Sequence, residues 1–183
     1  REMTDLLVLD MVDKKLVTDQ MALTIGYDIE NLADPETGRK YKGEVAMDRY
    51  GRRVPKHAHG TANLGVRTSS TRKIVDAVME LYDRIVDPAL SVRRVTVAAN
   101  RLTDESQAGA TQQFEQLDLF TDYGALEREK EAENARLAKE RKLQEAMIAV
   151  KKKYGKNAIL MGTNLQEGAT TVERNRQIGG HKA

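Results

Sequence analysis

Three segments of the chain alternate between apolar side chains and small or polar ones, a pattern typical of β-strands that bury one face. They run from Val17 to Asp28, from Gly60 to Ser69 and from Arg93 to Arg101. Because the apolar positions of each strand fall on one side, the three strands can share a single core. The other side holds hydroxyls, amides and arginines with almost no acid: Thr24, Thr61, Asn63, Arg67, Arg94, Thr96 and Asn100. The alternation therefore predicts a sheet with one covered face and one open polar face.

Two amphipathic helices are predicted to cover the apolar face. Residues 1–15 have a broad apolar side, and a second helix begins after Ser70 or Thr71, either of which can cap it. The apolar stripe of the second helix consists of Ile74, Val78, Leu81 and Ile85. Between the first two strands, residues 29–59 are rich in turn formers and predict a long hairpin connection. The expected fold class is α+β, a two-layer sandwich of three strands backed by two helices.

Positive charge is concentrated in the middle of the chain. Residues 39–101 hold 14 basic and 6 acidic residues, a balance of +8, although the whole chain carries only +2. Residues 1–38 hold 3 basic and 9 acidic residues, and residues 102–183 hold 13 of each. Such a block is typical of a surface that binds a polyanion. Basic loops that merely keep a protein in solution would give the same charge balance. The acid-poor open face of the sheet favours the interpretation as a polyanion-binding surface.

The segment between the second strand and the second helix combines cations with hydroxyl groups. A helix N-terminus exposes free N–H groups, and the helix dipole favours an anion there. Capping accounts for one hydroxyl but not for a cluster of them. We therefore expect an anion to be favoured at this segment, which consists of Arg67, Thr68, Ser69, Ser70, Thr71, Arg72 and Lys73.

The C-terminal part has too few apolar residues for a core of its own. Residues 124–154 predict a long charged helix, and only its second half has an apolar stripe: Leu143, Met147, Val150 and Tyr154. That stripe could pack against the domain or against a partner. Alternatively, the helix is solvated and merely has one apolar end. Residues 155–183 contain several glycines and predict a flexible tail. We divide the chain into a domain (1–102), a linker (103–123), the charged helix (124–154) and the tail (155–183).

The linker contains a short apolar motif, FEQLDLF, at residues 114–120. It includes both phenylalanines of the chain. Its side chains would either fix the linker to the domain or bind another protein, and the motif alone leaves both interpretations open.

Several kinds of site lack support in the sequence. The chain has no cysteine, which excludes disulfides and cysteine-ligated metals and is typical of a reducing compartment. No apolar run approaches the roughly 20 residues that span a bilayer. His57 and His59 have no third and fourth ligand nearby, so we expect two exposed loop histidines and neither a metal site nor a cofactor. The first residues, REMTDLLVLD, resemble the interior of a helix, so we expect a fragment of a longer protein.

The order of these elements resembles the C-terminal part of the Y-family translesion DNA polymerases, of the UmuC-like or DinB-like kind. The resemblance covers most of residues 1–120 and is carried by REMTDLLVLDMVDKKLVTDQMALTIGYD, by RYGRRVPKHAHGTANLGVRTSSTRKIVDAVMELYDRI, and by SVRRVTVAANRL followed by QLDLF, with a weaker likeness in RNRQIGGHKA. It implies a "little finger" domain, in which four strands backed by two helices grip both strands of duplex DNA by their phosphates. The first of those four strands would lie upstream of Arg1.

The resemblance also implies which residues contact DNA. The best candidates are the cluster from Arg67 to Lys73 together with Arg93, Arg94 and Thr96. Weaker candidates are Arg52, Arg53 and Lys56, because the connection that holds them is longer than the short hairpin of the family.

The linker motif Gln116, Leu117, Asp118, Leu119, Phe120 resembles the sliding-clamp-binding motif of bacterial polymerases. An extended peptide of this kind places its leucines and phenylalanine in apolar pockets of the clamp, the polymerase β subunit. The resemblance implies a bacterial cytoplasmic protein of DNA repair and damage tolerance that binds primer-template DNA. Residues 124–183 would be available to other repair proteins.

The parent protein would be an error-prone DNA-directed DNA polymerase that uses Mg²⁺ held by carboxylates upstream of this segment. We find no catalytic residue here, so this part should bind DNA and the clamp without synthesising DNA. The alternative is a non-catalytic interaction or regulatory domain whose basic face meets an acidic protein.

Overall fold

The computed structural model describes residues 1–108, 122–178 and 181–182. The predicted clamp motif, residues 116–120, lies outside the described residues. The body contains, in chain order, α1 (Glu2–Asp13), β1 (Leu16–Tyr27), α2 (Glu30–Ala33), α3 (Pro35–Lys40), β2 (Val45–Met47), β3 (Arg53–Pro55), β4 (Ala58–Thr68), α4 (Thr71–Ile85) and β5 (Val92–Asn100). It continues with β6 (Thr103–Asp104), α5 (Glu105–Ala108), α6 (Tyr123–Tyr154), a 3₁₀ turn (Gly162–Leu165), α7 (Thr171–Asn175), β7 (Gln177–Ile178) and β8 (His181–Lys182).

The predicted α+β class is confirmed. β1 is the central strand, antiparallel to β4 on one side and to β5 on the other, while β6 pairs with its first two residues. Helices α1 and α4 pack against one face of this sheet and against each other. The three predicted strands and both covering helices are therefore present, with ends that shift by one or two residues.

The core lies between the sheet and these two helices. One cluster joins Met21 of β1 to Val8 and Met11 of α1 and to Ile74 and Val78 of α4. A second cluster is built from Leu23, Ile25, Tyr27, Leu81 and Leu90. From Met21 to Tyr27 every second side chain of β1 is buried in the core, as the alternation predicts.

Gly60 lets α4 pack closely on β4. A Cβ atom on Gly60 would lie 2.8 Å from Cδ1 of Leu81 and 3.2 Å from Cγ2 of Ile85. A larger residue would therefore require these two side chains to shift.

The alternation of β4 breaks near its end, contrary to the sequence expectation. Thr18 pairs with Thr68 but Gln20 pairs with Asn63, so β4 contains extra residues in a bulge. Gly65 adopts a φ of +74° there, a left-handed conformation that favours glycine. As a result Val66, expected on the apolar face, is 46% exposed.

Residues 29–59 form structure of their own instead of a simple hairpin connection. Asp34 caps α3 by accepting a hydrogen bond from the Thr37 N–H at 2.6 Å, and Pro35 occupies its first turn. Strands β2 and β3 then form a separate two-stranded hairpin, which packs against α2 and β1.

The charged helix α6 packs against α1 and against the start of α4. It begins after Asp122, whose side chain accepts a hydrogen bond from Ala125 N–H, and it ends at Gly155 with φ +99°. Of its predicted stripe only Met147 is buried, whereas Leu143 and Tyr154 are mostly exposed. The helix therefore docks by Met147, by Ile148, which packs against the core, and by polar contacts more than by the predicted stripe.

The described part of the tail packs against α1, whereas the sequence predicts a flexible tail. The Glu2 carboxylate accepts hydrogen bonds from Thr170 N–H at 3.1 Å and Thr171 N–H at 3.3 Å, and Arg174 lies 3.4 Å away. Burial raises the pKa of Glu2, but these hydrogen bonds outweigh it and leave the pKa below its ordinary value. Thr171 is fully buried at this contact.

None of the helices in the described ranges has the length and apolar character that crossing a bilayer requires.

The central position of Met21 gives a test of the core. Met21→Ala should lower the free energy of unfolding by about 2–5 kcal/mol, because it leaves a cavity between β1 and both helices. Val66→Ala, at the exposed bulge, should change it by less than about 0.5 kcal/mol. Urea unfolding followed by circular dichroism measures both, and equal effects would contradict this assignment of the core.

Candidate nucleic-acid interface

The open face of the sheet is organised in rows that cross the three strands. In the first row Gln20 of β1 lies between Asn63 of β4 and Asn100 of β5. Its Nε2 donates to Asn63 Oδ1 at 2.8 Å, and its Oε1 accepts from Asn100 Nδ2 at 3.1 Å. These hydrogen bonds hold the three amides in place and leave their remaining donors and acceptors facing outward.

The next rows are small and hydroxyl-bearing. Ala22 lies between Thr61 and Ala98, and Thr24 lies between His59 and Thr96. The Thr24 hydroxyl is 2.8 Å from His59 Nδ1. Because the central strand presents only small side chains beyond the amide row, the face is flat enough for an extended polymer to lie along it.

Arg94 extends this face at its far end. It pairs in register with Gly26, and a Cβ on Gly26 would meet the Arg94 Cβ at 3.4 Å. Its neighbour Arg93 is exposed and lies 3.4 Å from the Asp28 carboxylate. The Glu30 N–H donates to Asp28 and, despite a small opposing effect of burial, holds the pKa of that carboxyl below its ordinary value. The Asp28 charge therefore offsets Arg93 but not Arg94.

The opposite end of the sheet carries an acid, Asp19, that contacts two arginines. Asp19 lies 4.0 Å from Nε of Arg67 and 3.8 Å from Nη1 of Arg101. Two cations thus share one carboxylate, and a single positive charge remains at this end. The open face is poor in acids but not free of them.

The expected anion site at the start of α4 is occupied by the chain itself. Ser70 caps the helix as predicted, accepting a hydrogen bond from Lys73 N–H at 3.3 Å. The Glu140 carboxylate of α6 accepts from Arg72 N–H at 3.0 Å and from the Ser70 hydroxyl at 2.7 Å. A carboxylate of this protein therefore fills the position where the sequence predicts a phosphate.

A second carboxylate pairs with both cationic side chains of the same turn. Glu133 lies 2.7 Å from Nη2 of Arg72 and 3.0 Å from Nζ of Lys73. The hydrogen bond from Lys73 lowers the pKa of Glu133, with a smaller opposing effect of burial. Both ion pairs are solvent-accessible, so each contributes modestly to stability.

Two further side chains of α6 contact the residues just before α4. Gln144 donates to the Ser69 carbonyl and to the Thr71 hydroxyl, each at 2.9 Å, and Arg141 donates to the Ser69 hydroxyl at 3.3 Å. Thr68 accepts a hydrogen bond from Ser70 N–H. Within the predicted cluster, residues 69–73 thus face α6, and Arg67 lies instead beside Asp19.

The weaker candidates lie on or beside the β2–β3 hairpin. Arg52 binds Asp48 at 2.7 Å, Lys56 binds Glu44 at 2.6 Å, and Arg53 is exposed on β3. His59 belongs to β4 and not to a loop as expected, whereas His57 does lie in a loop. Extending the alternation of this strand back to Ala58 would have placed His59 on the open face. Within the described residues no group of three or more His, Cys, Asp or Glu is arranged to hold a metal ion.

Comparison of the chain with models of known protein families, with curated proteins and with solved structures found no match. The interpretation of this surface therefore depends on its own geometry and on the resemblance noted in the sequence.

The contact between Glu140 and the start of α4 can be tested directly. Glu140→Ala should remove two hydrogen bonds from that turn and destabilise the α6 contact by about 1 kcal/mol. Hydrogen exchange should accelerate at residues 70–73 and along the middle of α6. Glu131→Ala, at an exposed position of the same helix, is the matched control. Equal exchange in both variants would show that Glu140 does not hold the two helices together.

Proposed function

We propose that this chain is the DNA-binding and clamp-docking region of an error-prone translesion DNA polymerase. The observation that carries the proposal is the flat open face of β4, β1 and β5, with its amide row, its hydroxyl row and Arg94. This face lies opposite the one that α1 and α4 cover. The polar composition of this face and the order of the strands and helices along the chain support the resemblance to the little finger.

The dimensions of the face suit a short duplex contact. From the row of Gln20 to the row of Gly26 the strand advances six residues, or about 20 Å. At 3.4 Å per base pair this length matches about six base pairs. The outer strands lie about 10 Å apart, comparable to the roughly 12 Å width of the major groove.

The chemistry of the face favours the DNA backbone over the bases. Amides and hydroxyls donate hydrogen bonds to phosphate oxygens, and Arg94 supplies a fixed charge. The small residues of β1 provide few groups that could distinguish one base edge from another. We therefore expect duplex binding with little sequence preference and a strong dependence on salt.

Clamp docking is proposed from the sequence motif at Gln116 to Phe120 alone. A linker between the sheet and α6 is a suitable position for an extended peptide that inserts Leu117, Leu119 and Phe120 into apolar pockets.

Arg94→Ala tests the DNA-binding face. Losing one phosphate contact should weaken duplex binding several-fold at low salt and reduce the slope of log affinity against log salt by about 1. Fluorescence anisotropy with a labelled duplex, from 50 to 300 mM salt, measures both quantities. Arg84→Ala removes the same charge from α4, in the helical layer, and should leave the slope unchanged. An unaltered slope in Arg94→Ala would move the DNA to another surface.

The double variant Leu119→Ala and Phe120→Ala tests the clamp motif. It should abolish binding to a bacterial sliding clamp in surface plasmon resonance, because these side chains are the apolar anchors. Duplex affinity should remain that of the unmodified chain. Phe114→Ala, just outside the motif, serves as the control for lost apolar area. If duplex affinity fell together with clamp binding, the motif would be structural.

A second candidate function is supported by the Glu133 and Glu140 contacts. In these contacts the basic turn at the start of α4 binds carboxylates of the same chain. A regulatory domain that binds an acidic protein would use the same chemistry. It predicts weak duplex binding even at 50 mM salt, and the anisotropy titration of the unmodified chain separates the two functions.

A further inference from the structure

The tip of the β2–β3 hairpin exposes an aromatic ring between two cations. Tyr50 is 69% exposed, and the guanidinium carbons of Arg49 and Arg52 lie 5.2 and 5.1 Å from its ring centroid. Met47, on the same hairpin, is 65% exposed. An exposed tyrosine with two arginines at a loop tip is the set of side chains that proteins use to bind unpaired bases.

The tip is held in one conformation by Asp48. Its carboxylate accepts hydrogen bonds from the N–H groups of Tyr50 at 2.8 Å and Arg52 at 2.9 Å, and from Arg52 Nε at 2.8 Å. Gly51 completes the turn with a φ of +75°. The ring is therefore presented by an ordered turn, which reduces the conformational entropy lost on binding a ligand.

The hairpin borders the open face of the sheet. A groove of about 370 Å³ is lined by Met47 and Arg52 on the hairpin and by Thr24, Arg94 and Thr96 on the sheet. A strand of nucleic acid lying along the open face past Arg94 would therefore continue towards the tip.

The charge of the surrounding segment is complementary to such a strand. Residues 39–56 contain seven basic and two acidic residues, a balance of +5. One of the two acids, Asp48, is already engaged within the tip, and the other, Glu44, binds Lys56.

We propose that the hairpin tip binds the single-stranded DNA that leaves the duplex on the open face, with an unpaired base stacked on Tyr50. This inference rests on the proposed function, because it assumes that a duplex occupies the sheet. A base inside the duplex is not the ligand, because both of its faces are already stacked on neighbouring pairs. The Arg49 guanidinium leaves the ring face to the base and binds an adjacent phosphate, whereas Arg52 stays paired with Asp48 and supports the turn.

The experiment compares a blunt duplex with the same duplex carrying a ten-nucleotide single-stranded overhang. The chain should bind the overhang substrate about five- to tenfold more tightly than the blunt one. Tyr50→Ala should lose this preference while its affinity for the blunt duplex changes by less than twofold. Tyr50→Phe, which keeps the ring, should retain the preference. Because Tyr50 is exposed, none of these substitutions disturbs the core.

Tyr154 provides a matched control. It is another exposed tyrosine with a cation over its ring, Lys153 at 5.1 Å, but it lies at the end of α6. Tyr154→Ala should keep the full preference for the overhang. A 2-aminopurine at the first unpaired positions gives an independent readout, since stacking on Tyr50 should quench its fluorescence in the unmodified chain and in Tyr50→Phe only.

The outcomes separate this inference from the proposed function. If Arg94→Ala weakens duplex binding but the overhang gives no gain in affinity, the role of the tip is overturned and the role of the sheet face in duplex binding stands. Overhang preference that survives in Tyr50→Ala would also overturn it. No binding of either substrate would reject the proposed function itself, and retention of an acidic protein by the tip would then assign the hairpin to a protein partner.

Discussion

The burial of one face of β1 is the constraint on which the rest of the structure depends. Met21, Leu23, Ile25 and Tyr27 lie in the two core clusters, and β4 and β5 pair with this strand on either side. Because successive side chains of a strand point in opposite directions, burying this set exposes Gln20, Ala22 and Thr24 on the other face. The polar rows are therefore fixed by the same register that forms the core, and a shift of one residue would abolish both.

Local patterns predict most of this body. The two-residue period of β1 and the stripe of Ile74 and Val78 are strong signals, because each reflects a periodicity of the backbone itself. The N-cap is also a local signal: a short polar side chain before an apolar stripe can accept a hydrogen bond from the free N–H groups, which predicts Ser70 or Thr71, and the structure has Ser70. These features require no knowledge of distant residues.

The remaining features depend on contacts or conformations that periodicity does not encode. Gly65 permits a bulge that turns Val66 outward. A glycine within a strand pattern does not reveal whether the strand will bulge there or continue in regular pairing. The pairing of Glu140 with Arg72 joins residues 68 positions apart, and many other acids of α6 have the same local sequence context. At the candidate site, Arg94 and Thr96 lie on the predicted face, but the participation of His59 and the ordered tip at Tyr50 emerge only from the assembled structure.

The contact between Glu2 and the segment near Thr171 joins residues 169 positions apart in sequence. Four groups donate to this carboxylate, namely the Thr170 N–H and hydroxyl, the Thr171 N–H and the Arg174 guanidinium, so an ionised Glu2 helps to hold the C-terminal segment against α1. Since the pKa of Glu2 is depressed in this arrangement, acid weakens the attachment only when the pH falls through that lowered value. Proteolytic susceptibility after Gly155 would accordingly report on the integrity of α1.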